Sequence, residues 1–307
     1  MTDIYKYRAK KINFPSQGVN IVGLLCVPTT KPKGAITIFG PIAFVKEQSP
    51  TQYATRLAKE GYITLIYDPR FYGESDGLPR QYEDRKSRCE DILASVDYLA
   101  SLEIVEKDKI YALGICQGAN WIAEASTIDP RIKKVMLVAS ALLSPAMGEN
   151  YLSKEDLDMK VKRGRHARQR FEQDAEVAYM NIGPGPDNLP AIMPFQHITD
   201  WYGSWTIRSP FTQYKGNWEN RITQSSEELV WSYDVSEVMS LIEKPVLMIH
   251  SDKAASGPTT PKKMFSLIPS KDKTLIWFEG DQVQYQFYED PLTIDSVIFE
   301  LTHWLKK

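Results

Sequence analysis

The run Gly114-Ile115-Cys116-Gln117-Gly118 sets a cysteine between two glycines, after a short apolar stretch and before one with helical spacing. A side chain at a sharp strand-to-helix turn points out of its sheet, and small flanking residues let the backbones approach closely there. The amide after the central residue and the helix N-terminus can both stabilise negative charge on a reacting oxygen. A thiolate at a helix N-terminus is expected to have a lowered pKa, which makes Cys116 a candidate acyl acceptor. The plainer alternative is a buried small hydrophobe, the ordinary fate of an intracellular cysteine.

The elements that must position this turn are legible in the residue pattern. Short β-branched runs alternate with helical ones, the signal for a mostly parallel sheet covered by helices on both faces. Strands are expected at Asn20–Val27, Ala35–Phe39, Tyr62–Tyr67, Lys109–Leu113, Lys134–Val138, Pro245–His250 and Thr274–Phe278, with an edge strand around Lys10–Phe14. Helices are expected at Thr51–Glu60, Gln117–Thr127 and Ile294–Lys307. A longer one is marked by Cys89, Ile92, Leu93, Val96 and Leu99 recurring at helical spacing.

From about Ser144 to Asp234 the rhythm breaks. A charged helical stretch, Lys154 to Ala178, precedes a region holding Gly183-Pro184-Gly185-Pro186 and the aromatics Trp201, Tyr202, Trp205, Trp218 and Trp231. The fold class that results is α/β, with a core in two parts, 1–143 and 235–307, and a helical cap inserted at 144–234. Most of the cap aromatics are expected to form its own small core. The others would line an apolar pocket over Cys116, with Phe44, Tyr72, Trp201 and Trp205 as its candidate wall.

Composition narrows the partners. A net charge of −2 with acids and bases scattered argues against nucleic acid or a membrane surface. The polar start, Met1 to Phe14, lacks the apolar core of a signal peptide, and the longest apolar runs reach about half of a bilayer span. Three widely spaced cysteines suggest neither a disulfide framework nor a zinc site. A cytoplasmic protein is expected, acting on a small molecule, with no metal or cofactor and with a homodimer possible.

Three stretches resemble the α/β-hydrolase superfamily, and within it a dienelactone-hydrolase-like group. Val45-Lys46-Glu47-Gln48 follows the third strand, Asp68-Pro-Arg-Phe-Tyr-Gly-Glu-Ser75-Asp-Gly77 follows the next, and Gly114-Ile-Cys-Gln-Gly118 is similar to that group's nucleophile elbow with cysteine as nucleophile. The resemblance spans residues 18–140 and 244–307. It implies an oxyanion hole from the backbone amides of Gln117 and of Ile42 in the Pro41-Ile42-Ala43-Phe44 loop, where glycines are common in relatives. Ile42 and Phe44 could equally pack beneath the cap.

The same resemblance exposes two departures. Where many α/β hydrolases carry the triad acid this chain has Ala254. Asp252 could supply a carboxylate from a neighbouring position, or could be an ordinary loop or capping residue. The triad histidine would fall in Gly280-Asp-Gln-Val-Gln-Tyr285, at Val283 or Gln284, and neither can accept a proton near neutral pH. The four histidines lie elsewhere: His166 and His197 in the cap, His250 at the end of a core strand and His303 in the last helix. Two classes of function follow. One is an enzyme acting on an ester, thioester or lactone through Cys116 with the triad histidine lost. The other is a non-hydrolytic member that binds a small apolar ligand, or uses the oxyanion site for cyclase or lyase chemistry.

Overall fold

The computed structural model describes residues 6–208 and 218–307, with the side chains of residues 203–208 and of Asp281 left undescribed. The chain opens with β1 (Tyr7–Ser16), β2 (Val19–Pro28), β3 (Ala35–Phe39), α1 (Ser49–Lys59), β4 (Ile63–Tyr67), α2 (Arg85–Ser101), β5 (Ile110–Ile115), α3 (Gly118–Ile128) and β6 (Ile132–Val138). A long insertion carries α4 (Pro145–Gly148), α5 (Lys154–Asp174), β7 (Tyr179–Met180), α6 (Gln196–Arg208), β8 (Ile222–Thr223), α7 (Ser226–Ser232) and α8 (Ser236–Met239). The chain then returns through β9 (Val246–Lys253), α9 (Thr259–Leu267), β10 (Lys273–Val283), α10 (Gln286–Glu289) and α11 (Pro291–Leu305).

Eight strands form one sheet in the order β1-β2-β4-β3-β5-β6-β9-β10. Within this sheet, among the described residues, β1 with β2 and β2 with β4 pair antiparallel. The five pairings from β4 to β10 are parallel. Strands covered on both faces must be apolar throughout, and β3, β4 and β5 are buried at every residue. As the sequence leads one to expect, β1 sits at an edge.

Helix starts follow local chemistry. Pro50 stands in the first turn of α1, where a missing N–H costs nothing. Asp84 caps α2 by accepting from the Ser87 N–H, and Asp290 caps α11 through the Thr293 N–H. The clearest departure from expectation is β10. The strand does not stop at Phe278; it bulges and re-pairs, with Val283 opposite Lys253. The segment expected to be an open loop is thereby tied to the sheet up to Val283.

No helix among the described residues is long and apolar enough to cross a membrane.

Candidate active site

Cys116 lies at the C-terminal end of β5, near the middle of the sheet, where ligands bind in open α/β folds. Its φ is +56°, a left-handed conformation that a residue with a Cβ adopts only when its surroundings enforce it. The enforcement is visible on both sides. The Cys116 N–H bonds the Val138 carbonyl of β6, and the Ala119 N–H returns to the Cys116 carbonyl to start α3. A Cβ on Gly114 would meet the Ala119 Cα at 2.6 Å, and one on Gly118 would meet the Phe39 and Gly40 carbonyl oxygens at 2.5 Å. Strand, turn and helix are packed too closely there for any side chain.

The sulfur is ringed by donors. Burial pushes the thiol above its ordinary value, while the Tyr288 hydroxyl and the backbone N–H groups of Gln117, Ile42 and Ala141 offset part of that rise. This corrects the expectation of a lowered pKa: helix geometry is present, but removal from water outweighs it. Cys116 is 7% exposed.

The loop that brings Ile42 to the sulfur is clamped at each point. The Ile42 carbonyl accepts from the Tyr202 hydroxyl at 3.1 Å, and the next amide, of Ala43, donates to Glu83 Oε1 at 3.0 Å. Arg88 Nε donates to the other Glu83 oxygen at 3.0 Å. Three residues further on, Lys46 and Asp68 join the two loops that carried the family resemblance. Asp68 accepts from the Lys46 N–H at 2.8 Å, from Lys46 Nζ at 2.6 Å and from the Glu74 N–H at 2.9 Å. Burial opposes the Lys46 charge, but Asp68 and Glu47 more than restore it, so the ammonium is held protonated. Val45–Gln48 and Asp68–Gly77 are thus one scaffold, and what they hold is the turn containing Ile42.

The position expected for a triad histidine is filled by Gln284, and every polar atom of its amide is used. Its Oε1 accepts from the Ala255 N–H at 2.7 Å, while Nε2 donates to the Ala139 carbonyl at 2.8 Å and to Tyr288 Oη at 2.7 Å. Val283 lies beside it, exposed, its N–H bonded to the Gln286 side chain at 2.8 Å. Ala254 is buried and apolar in the acid position. Asp252 does not replace it: it is exposed, accepts from Trp277 Nε1 at 3.0 Å, and has no part in the cavity wall. No histidine contributes to the hydrogen bonding of the sulfur. His250 is buried against Trp277 with both ring nitrogens on backbone groups of Ser251 and Ser140. His197 reaches only the cavity wall, stacked on Phe195.

Above Cys116 is a cavity of about 470 Å³, within the usual range for a small-molecule site. Ile42, Cys116 and Gln284 form its floor, and Met147, Met193 and Trp231 of the insertion contribute an apolar wall. The candidate wall residues fare unevenly. Phe44 packs edge-on against Phe39, and Tyr72 lies under Arg88, so both are core rather than lining. Trp201 stands behind the wall, stacked on Tyr285 at 5.3 Å and against Tyr288 at 4.8 Å. The Trp205 side chain lies outside the described residues. Sequence reasoning missed Tyr288 and Tyr202, whose only early signal was their place beside the expected histidine loop and among the cap aromatics.

A mostly parallel sheet with a strained residue at the strand-to-helix turn, facing two converging loop amides, defines the α/β hydrolase fold. A profile of the alpha/beta hydrolase fold matches residues 50–183. The chain belongs to that family. It is 35% identical to the YcjY protein of Escherichia coli (strain K12), over 88% of this chain and 90% of that one. It is 26% identical to the polyketide transferase grgF of a Penicillium species, over 66% of this chain and 64% of that one. The solved structure of DcsB in complex with its substrate analogue is similar in fold, with a TM-score of 0.81 at 22% identity, over 97% of this chain and 98% of that one.

Proposed function

We propose that this protein handles an acyl group through Cys116, and that among esters, lactones and thioesters the thioester suits its site best. The observation that carries the reading is Cys116 itself, held in a left-handed turn with the amides of Ile42 and Gln117 at its sulfur. Those amides are the oxyanion donors of the proposed reaction. Residues 144–234 act as the cap that supplies the apolar wall for the acyl chain. The subgroup reading, of dienelactone-hydrolase-like proteins with a cysteine nucleophile, belongs to the same proposal.

The missing base selects the substrate. The thiol first loses its proton to solvent; the Cys116 thiolate then attacks the carbonyl carbon, the new C–S bond forms, and the substrate's C–S bond breaks. The leaving group departs as a thiolate and takes a proton from water. An oxyester would release a far more basic alkoxide, for which a protonated histidine normally provides the proton. A general base is worth about a hundredfold to ten-thousandfold, so water is a poor second acceptor; a second thiolate needs no base, and its attack on the acyl carbon forms a new thioester while Cys116 leaves as the thiolate. Relatives named polyketide transferase and thiohydrolase support acyl or thioester chemistry at this site.

The raised thiol pKa favours a second reading, a non-hydrolytic protein that binds a small apolar ligand or works from its amides alone. Incubation with a medium-chain acyl thioester, followed by intact-mass measurement, separates the two. Under the first reading the wild type gains one acyl group and Cys116→Ala gains none. Binding of the thioester without a Cys116-dependent adduct or thiol release would select the second.

A further inference from the structure

The Gln284 amide can face only one way. Ala255 offers it an N–H and Ala139 a carbonyl, so its oxygen must lie at the first and its nitrogen at the second. Flipping the amide would set donor against donor and acceptor against acceptor. The nitrogen is a donor only, hence Tyr288 Oη, 2.7 Å away, must accept from it. With that lone pair committed, the phenolic hydrogen is left to point elsewhere, and the Cys116 sulfur, which lines the same cavity, is the group it acts on.

From this fixed direction we infer that Tyr288 is a catalytic residue, the hydrogen-bond donor that stabilises the Cys116 thiolate, and that Gln284 is the residue that positions it. The chain of donors runs Ala255 N–H to Gln284, Gln284 to Tyr288, and Tyr288 to the sulfur. It occupies the place of a histidine relay with the opposite polarity: it delivers a hydrogen bond to the nucleophile and has nowhere to put a proton. Burial holds Tyr288 well above the ordinary phenol value, and the charge on the sulfur adds to this, so the donor stays protonated. Tyr288 is 2% exposed, and its ring is fixed by Trp201 and Tyr285.

Other titratable groups face the same sulfur. Tyr202 on α6, Tyr285 in the turn before α10 and Tyr151 in the insertion all sense the Cys116 charge. Tyr202 donates its hydroxyl to the Ile42 carbonyl, and all three feel the sulfur through its charge, whereas Tyr288 is the side chain hydrogen-bonded to it. Lys253 and His197 line the cavity as well. A cation there would shift the thiol in every variant alike.

The inference deepens the acyl-transfer reading, but its test is read on the thiol, so either can fail alone. Iodoacetamide alkylation of Cys116 is followed by mass spectrometry across pH in wild type, Tyr288→Phe and Gln284→Met, with circular dichroism confirming the fold of each. Both residues belong to the site, and neither variant is expected to keep wild-type reactivity. Loss of a hydrogen bond to a charged group is worth about tenfold or more. Tyr288→Phe should therefore lower the rate near neutral pH about tenfold and move the profile to higher pH. Gln284→Met keeps the phenol and adds no charge, but frees it to turn to the vacated Ala139 carbonyl, and a several-fold loss with the same upward movement is expected. A change in access alone would alter the high-pH plateau and leave the midpoint in place. Unmoved midpoints in both variants would overturn the inference. A shift in Tyr288→Phe with none in Gln284→Met would overturn the positioning role of Gln284. If Tyr288→Phe fails to fold, the Gln284→Met midpoint alone decides.

Discussion

Glu83 accepts a hydrogen bond from the backbone N–H of Ala43 at 3.0 Å, 40 residues away in sequence, and so holds the peptide that presents Ile42 to Cys116. Ala43 has a φ of +52°, a strained conformation for a residue with a Cβ, and Glu83 is one of the groups that keeps it there. The carboxylate is itself held by Arg88, which is 1% exposed.

Replacing Glu83 by Ala strips Arg88 of its buried partner and leaves the Ala43 N–H without an acceptor. Breaking a buried ion pair in this way costs about 3–5 kcal/mol. Urea denaturation of Glu83→Ala should show a loss of that order. A loss below about 1 kcal/mol would mean that solvent reaches Arg88 readily.

Gly118→Ala tests the closeness of the turn. Its Cβ would sit 2.5 Å from the carbonyl oxygens of both Phe39 and Gly40, backbone atoms that cannot swing aside. Overpacking of this kind costs about 1–3 kcal/mol. Since β3 and α3 can separate only by moving Ile42 away from the sulfur, acyl-adduct formation should fall along with the thermal midpoint. An unchanged adduct rate in a destabilised variant would uncouple the two.

His250 makes stability depend on pH. Burial lowers its pKa below the ordinary 6.5, with the Ser251 and Ser140 backbone groups opposing that shift. In the window between the folded value and 6.5 the unfolded chain binds more protons than the folded one. Stability is therefore complete above that window and falls as the pH drops through it. Chemical denaturation of wild type and His250→Gln across mildly acidic pH should show a steeper decline in the wild type. Parallel curves would remove His250 as the cause.

The cavity should set acyl-chain length. Met193→Trp fills space on the insertion side without touching Cys116. One methylene in an apolar pocket is worth roughly tenfold or more, so adducts from long-chain thioesters should fall by at least that factor while short-chain ones persist. A uniform loss across chain lengths would place the acyl chain elsewhere.

Most of the core was readable from the chain because its signals are local. β3 appears with the expected bounds, and β2, β4, β5, β6 and β9 start within two residues of their expected starts. A strand buried on both faces leaves an apolar run that no other element imitates. The elbow was readable for a similar reason: two glycines and a small nucleophile within five residues record a steric requirement directly. β10 was not, since a bulge is set by its partner β9 and leaves little trace in composition. Phe44 and Tyr72 were assigned to the pocket because an aromatic side chain near a site looks the same in sequence whether it points toward the cavity or away from it.

The amino-acid order by itself determined the fold, the placing of Cys116 at the turn, and the absence of histidine where Val283 and Gln284 stand, because each is a matter of which residue occupies which local position. The tertiary structure alone decided what surrounds the sulfur. The direction of the Gln284 amide depends on Ala139 and Ala255, on different strands and turns. The thiol's raised pKa depends on how much of the chain covers it. Hydrogen-bond polarity and desolvation are sums over groups far apart in sequence, and only folding brings those groups within reach of one another.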